Sequence, residues 1–200
     1  ILSKKLELEF INLGGGMMSP MSQNMANSLN ISRTSYLDYA KVIHDILGPI
    51  STLFKNKLIL EPGTAIVANA FMYITKIKDI KSISKTWIAQ LYGSTFDIFG
   101  TKRNVKVPIK IISSNDQSKT REISRIVGYT CIENDKFELT ENKFLSLDSF
   151  IQIDNIGSYS IQMKPPFINY SPPLIMHDKG EFSLIKEKEN INSLLKDYIF

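Results

Sequence analysis

The chain is 200 residues long, 43% hydrophobic and 22% charged, enough to bury a sizeable core in one or two globular domains and too apolar for a disordered chain. No apolar run approaches the ~20 residues of a membrane span and the first residues lack a signal-peptide layout, so the sequence reads as soluble and cytoplasmic. One cysteine and two histidines exclude a structural zinc site and a disulfide framework, and the net charge of +4 comes from lysines interleaved with acids, as in FSLIKEKEN, a solvated surface rather than a nucleic-acid face.

Leu6 to Leu13 is predicted as the first strand, nearly continuously apolar after Glu9, as in a parallel sheet covered on both faces. It stops in Gly14, Gly15 and Gly16. Consecutive glycines after a buried strand let backbone N–H groups converge on one point, as a phosphate requires; a flexible strand-to-helix loop is the alternative. Met17 to Ser32 is a Ser/Asn/Met-rich loop. A helix follows, with Tyr36, Ala40, Ile43, Leu47, Ile50 and Phe54 on one stripe, Ser35 and Asp38 placed as a capping box, and Pro49 as a kink. Lys57 to Leu60 is a second strand, stopped by Glu61-Pro62-Gly63. Strand, helix, strand makes one βαβ unit with a ligand-type turn at each strand end.

After Pro62 the periodicity turns from helical to extended, so a separate all-β region follows a boundary near Thr64 to Ala70. Ile83, Lys85, Trp87, Ala89 and Leu91 fall on one strand face, and Val105 to Ile112 is another β-rich run. Further strands are expected at Glu122 to Tyr129, Phe150 to Asn155 and Phe182 to Lys186, the last reached by a turn at Asp178-Lys179-Gly180. PPFINYSPP is a proline-held loop. A short helix striped by Ile191, Leu194, Leu195 and Tyr198 closes the chain.

These blocks, GGG after one strand, EPG after the next, then LEPGTAIVANAFMYITKIKDIK, LYGS, GYTCIENDKF and IDNIGSYS with FINYSPP, resemble in order those of the fold-type III pyridoxal-phosphate (PLP) decarboxylases, the ornithine, diaminopimelate and arginine decarboxylase family. The resemblance spans residues 10 to 173. It implies an α/β plus all-β chain: residues 1–66 as the last strands and helix of a PLP-binding (β/α)8 barrel, and residues 67–200 as a C-terminal β-sandwich or barrel-like domain. It implies that Gly15, Gly16 and Gly63 offer N–H groups to the cofactor phosphate, with Thr64 beside them. Glu61 would face the pyridine nitrogen and keep it protonated. Tyr159 corresponds to a cofactor-contacting tyrosine, and Tyr92 would lie near the substrate. Cys131 corresponds to the cysteine that reaches a partner subunit's active site and returns a proton after carbon dioxide leaves. Read from the residues alone, Glu61 could be a surface acid, Tyr92 and Tyr159 core tyrosines, Cys131 buried filler and Asp135 a turn residue.

The departures are as informative. Thr64 stands where that family has an arginine after EPG, Ile88 where diaminopimelate decarboxylases have a substrate-binding arginine, and Ile132 where an acid follows the cysteine. The Schiff-base lysine has no counterpart block. A complete barrel takes ~250 residues, more than this chain of 200. The resemblance therefore implies the C-terminal part of a PLP-dependent amino-acid-type decarboxylase, a homodimer with shared active sites that depends on a missing N-terminal part or chain. The charged selectors being absent, the expected substrate is a specialised one, as in siderophore or antibiotic assembly. A catalytically silent homologue acting as a protein-binding regulator is the alternative.

Overall fold

The structure is a computed structural model that describes residues 8–53, 57–98, 108–112, 120–139 and 141–199. These residues form two compact units, one running to Met72 and including Ile153–Ser158, the other comprising Tyr73–Gln152 and the chain from Tyr159.

In the first unit, β1 (Ile11–Asn12), α1 (Gln23–Ser28), α2 (Tyr36–Leu47), β2 (Leu58–Ile59) and α3 (Gly63–Val67) follow in order. β1 and β2 pair in parallel, Ile11 opposite Leu58 and Asn12 opposite Ile59, with the two helices in the crossover between them. The predicted strand at Leu6 to Leu13 is thus short within the described residues; Leu6 and Glu7 lie outside them. The expected loop at Met17 to Ser32 contains α1. Ser22 caps it, accepting from Met25 N–H at 3.2 Å, and it buries Met25 and Ala26, a contact too short to show as a periodic stripe.

The Ser35 and Asp38 capping box of α2 is present in both directions; the Ser35 N–H holds the Asp38 carboxyl below its usual range. Tyr39, Ile43, Leu47 and Ile50 are the half-buried positions, so the stripe is offset from the one read through Tyr36 and Ala40. At Pro49 the helix tightens into a 3-10 turn, Gly48–Leu53, because proline has no N–H for the α-helical ladder; Phe54 lies outside the described residues. The extended region also starts later than expected. Gly63–Ala70 is helical, and Ala65 and Ala68 are buried in it.

The second unit, with Met72, Ile153 and Asp154 counted to the first, is built on β3 (Met72–Ile83), β4 (Thr86–Leu91), β5 (Lys110–Ile112), β6 (Arg121–Ile123), β7 (Arg125–Val127), β8 (Lys136–Phe137), β9 (Lys143–Leu145), β10 (Phe150–Asp154), β11 (Leu174–Asp178) and β12 (Glu181–Lys186), followed by α4 (Ile191–Leu195). Six strands form one sheet in the order β5, β10, β3, β4, β7, β8, while β6–β9 and β11–β12 are two-stranded sheets. The expected sheet-rich region is thus present, and no closed barrel occurs among the described residues. Alternation explains the core: Tyr73, Thr75 and Ile77 of β3 and Ala89 and Leu91 of β4 point inward.

Ile83 and Lys85 do not share a strand with Trp87. Ser84 and Lys85 have φ of 49° and 65° and make a two-residue hairpin turn, with Ile83 opposite Thr86. The stretch expected as one strand at Glu122 to Tyr129 divides at Ser124 into β6 and β7, which belong to different sheets. The strands at Phe150 and Phe182, the Asp178-Lys179-Gly180 turn and the closing helix appear where the sequence put them; of the Val105 to Ile112 run, Val105 to Val107 lie outside the described residues.

Candidate functional site

Parallel pairing of β1 with β2 brings the glycine triplet against the Glu-Pro-Gly turn. The ladder runs from Ile11 N–H to Lys57 O (3.0 Å) and Leu13 N–H to Ile59 O (3.1 Å), then continues past both strands as Glu61 N–H donates to Gly14 O at 2.8 Å. Gly63 N–H turns back on Glu61 O at 2.9 Å, closing a tight turn around Pro62.

The triplet needs glycine for two reasons. Gly14 and Gly16 have φ of 66° and 85°, left-handed values at which a side chain is strained. At Gly15 a Cβ would stand 2.7 Å from the Glu61 carbonyl oxygen. Among the described residues no protein acceptor takes the N–H of Gly15 or Gly16, and both residues are exposed. Two open N–H groups in a glycine turn suit an anion.

Asn12, which sequence reasoning passed over, locks the site. Its amide donates to Glu61 Oε1 at 2.7 Å, while its carbonyl oxygen accepts from Gly14 N–H at 2.8 Å. One side chain thereby sets the Glu61 carboxylate and the entry to the triplet. Thr64 is half-buried in α3, one residue after Gly63.

Tyr92, Cys131 and Tyr159 belong to the second unit and all three are exposed; Tyr92 is 58% and Tyr159 57% accessible. They are therefore not core filler. Tyr159 has φ of 60°, uncommon for an aromatic residue. The second unit also holds a buried polar network that the sequence did not disclose. The Asp97 carboxylate accepts from Tyr73 Oη at 2.6 Å, Ser94 N at 3.0 Å and Tyr129 Oη at 3.0 Å, and the Lys164 ammonium lies 3.5 Å away, the two side chains being 2% and 5% exposed. Burial, and then the charge of Asp97, push the Tyr73 and Tyr129 phenols well above their ordinary range. Both stay neutral and act as donors. Lys164 also donates to Asn169 O at 3.0 Å and Pro165 O at 3.3 Å, which fixes the proline-held loop.

Asp135, expected in a turn, does end one but is 3% exposed. No group of residues able to hold a metal ion occurs among those described, and no described helix is long and apolar enough to cross a membrane.

Comparison with known proteins extends this picture. No protein-family model matches the chain. The chain is 24% identical over 203 residues to a diaminopimelate decarboxylase of Aquifex aeolicus, covering 98% of the chain and 44% of that protein. The likeness is to diaminopimelate decarboxylases. The crystal structure of the enzyme of that name from Methanocaldococcus jannaschii aligns with a TM-score of 0.78 at 22% identity, over 98% of this chain and 44% of the other. The arginine decarboxylase of Paramecium bursaria Chlorella virus aligns with a TM-score of 0.58 at 15% identity, over 82% and 42%. At these identities the structural likeness is one of fold. The sequence matches together with this likeness of fold bear out the resemblance read from the motifs, and the chain spans less than half the length of the curated relatives it matches.

Proposed function

We propose that this chain is the C-terminal part of a PLP-dependent decarboxylase of amino-acid-type substrates, residues 1–66 being the last strands and helix of a barrel and residues 67–200 a β domain. One observation carries the reading: the parallel β1–β2 ladder sets a glycine triplet with open N–H groups directly beside a carboxylate oriented by Asn12. The group implied by the family fits these residues, since the N–H groups of Gly15 and Gly16 are exposed and have no protein acceptor among the described residues. When bound, PLP supplies an electron sink for the pair left by the departing carboxylate.

The chain's own residues have separate tasks. The N–H groups of Gly15 and Gly16 hold a phosphate; the N–H of Gly63, expected from the sequence as a third donor, is taken by Glu61 O, so Gly63 shapes the turn at the mouth of α3 with Thr64 beside it. The Glu61 carboxylate, kept in place by the Asn12 amide, holds a proton on the pyridine nitrogen. Tyr159 contacts the cofactor and Tyr92 the substrate; their exposure suits both tasks. The Cys131 thiol gives up its proton to the carbon that has lost carbon dioxide, one S–H bond breaking as one C–H bond forms. Cys131 serves the site of the partner subunit, so the working form is a cytoplasmic homodimer with two shared sites, completed by the N-terminal part that carries the Schiff-base lysine.

Thr64, Ile88 and Ile132 leave three selector positions without charge. A substrate with a distal carboxylate or ammonium would leave that charge unpaired there. The substrate is therefore placed outside ornithine, lysine and meso-diaminopimelate, in a specialised route such as siderophore or antibiotic assembly.

The deciding experiment is the absorbance of the purified full-length protein near the visible edge. A cofactor band that disappears on borohydride reduction, together with carbon dioxide release from an amino acid, is the expected result. A full-length protein without that band, even after incubation with PLP, is a silent homologue instead.

A further inference from the structure

The second unit buries two carboxylates that the proposed chemistry leaves without a task. Asp135 and Asp97 are 3% and 8% exposed, and burying an ionised carboxylate is costly unless donors surround it. The donors around Asp135 come from two separate stretches of chain. Oδ1 accepts from Ser94 Oγ, Thr95 N and Thr95 Oγ1, each at 2.9 Å, and Oδ2 accepts from Thr130 N at 3.0 Å.

Thr130 directly precedes Cys131. On the other side, Ile132 N–H donates to Thr130 Oγ1 at 3.3 Å and Asp135 N–H donates to Ile132 O at 2.9 Å. The turn is closed by Gly128 N–H donating to Asp135 O at 2.9 Å. Gly128 has to be glycine, since a Cβ there would overlap the Asp135 carboxylate. Cys131 is thus exposed on a turn that contributes little to the core, yet the peptides on both its sides are tied, directly or in one step, to Asp135.

Ser94 joins this anchor to the second one. Its hydroxyl donates to Asp135 while its N–H donates to Asp97, which also receives Tyr129 Oη from the start of the Cys131 turn. Two residues before Ser94 stands Tyr92.

We propose that Asp135 is a positioning residue: its buried carboxylate fixes the turn that presents the Cys131 thiol, and Ser94 couples that turn to the strand end bearing Tyr92. The catalytic consequence rests on the proton-donor reading of Cys131, whereas the positioning itself does not. A carboxylate suits the task because all four groups around it are donors and it accepts only. An asparagine would turn one N–H against a donor, either at Thr130 or at the Ser94–Thr95 pair.

The test uses the full-length protein, with Asp135→Asn and the milder Ser94→Ala. Three quantities are read: the alkylation rate of the Cys131 peptide with iodoacetamide by mass spectrometry, amide exchange at Thr130, and kcat and KM. Asp135→Asn is expected to change the alkylation rate about threefold or more, to speed exchange at Thr130, and to lower kcat about tenfold to a hundredfold with KM within about twofold. Ser94→Ala moves the same readouts in the same directions by less, and decides the matter alone if Asp135→Asn does not fold. Altered alkylation and exchange with unaltered kcat would uphold the positioning and remove Cys131 from the chemistry. Unaltered alkylation and exchange in the folded variants would overturn the positioning.

Discussion

Asn12 and Glu61 lie 49 residues apart in sequence and meet through a 2.7 Å hydrogen bond from amide to carboxylate. That bond separates two things a mutation at Glu61 can remove, the charge and the contact. Glu61→Gln keeps an oxygen for the Asn12 amide and loses only the charge. It is expected to retain cofactor binding and thermal stability while kcat falls about tenfold or more, because the ring nitrogen loses the partner that keeps it protonated. Unchanged turnover in this variant would remove Glu61 from the mechanism. Asn12→Ala leaves Gly14 N–H without its side-chain acceptor and should weaken cofactor affinity more than it lowers kcat.

Gly15→Ala tests the cradle by shape. The added methyl must displace the Glu61 carbonyl, which would stand 2.7 Å from it; overpacking of this kind costs about 1–3 kcal/mol. Lower stability with weakened PLP affinity is the expected pair of results, read by thermal unfolding and by cofactor titration. Affinity equal to wild type would show that the triplet does not hold the phosphate.

The charge pattern around the hairpin formed by β11 and β12 predicts an acid-sensitive tie. Lys186 and Ser171 hydrogen bonds lower the Glu189 carboxyl from 4.5 to about 2, with Lys186 Nζ at 2.8 Å and Ser171 N at 3.2 Å. A group whose pKa is depressed by folding stabilises fully above its unfolded value. The contribution is therefore complete above 4.5, fades as pH falls, and is gone below about 2. Carboxyl titration by NMR checks this; an ordinary value near 4.5 would mean that the ion pair does not persist in solution.

A shared active site has an arithmetic signature. A Cys131→Ala variant and a variant lacking the Schiff-base lysine should each be inactive, but a mixed dimer places both lesions in one site and leaves the other intact. Random exchange should restore about a quarter of wild-type activity. No recovery after verified subunit exchange would place Cys131 in its own chain's site or outside the chemistry.

Selectivity provides the last prediction. With Thr64, Ile88 and Ile132 uncharged, ornithine, lysine and meso-diaminopimelate are expected to be decarboxylated poorly, since a site that leaves a buried charge unpaired discriminates by orders of magnitude. Efficient turnover of any one of them, measured as carbon dioxide release, would show that another group supplies the missing charge.

What the sequence disclosed and what it hid follow from how far each interaction reaches. The capping box at Ser35 and the turn at Lys179-Gly180 are local, written in residues three or fewer apart, and both are present. The hairpin at Ser84-Lys85 is also local but carries no glycine. Each non-glycine left-handed residue costs about 1–2 kcal/mol, and the pairing of β3 with β4 on either side overrides that preference. Asn12 and Asp135 were hidden for a different reason. Asn12 looks like an ordinary strand-end polar residue and Asp135 like an ordinary turn acid, and the partners that give them tasks, Glu61 and Ser94, come from distant chain. The Asp97–Lys164 pair is likewise nonlocal, and composition had counted both among the solvated charges.

The β1–β2 pairing also bears on the order in which the molecule assembles. Among the described residues each strand pairs through two residues, with one further bond beyond them, and the closure they make spans the whole α1–α2 crossover. Chain entropy opposes such closure, by about 0.6 kcal/mol for each doubling of the loop, and two ladder rungs return little until the crossover has folded. The glycine turn and its carboxylate neighbour are therefore expected to come together late, after helix formation elsewhere in the unit. Saturation with PLP should then protect the amides of α2 as well as those of the cradle in a hydrogen-exchange measurement, since a ligand that binds only the assembled turn withdraws the chain from every state in which the crossover is open.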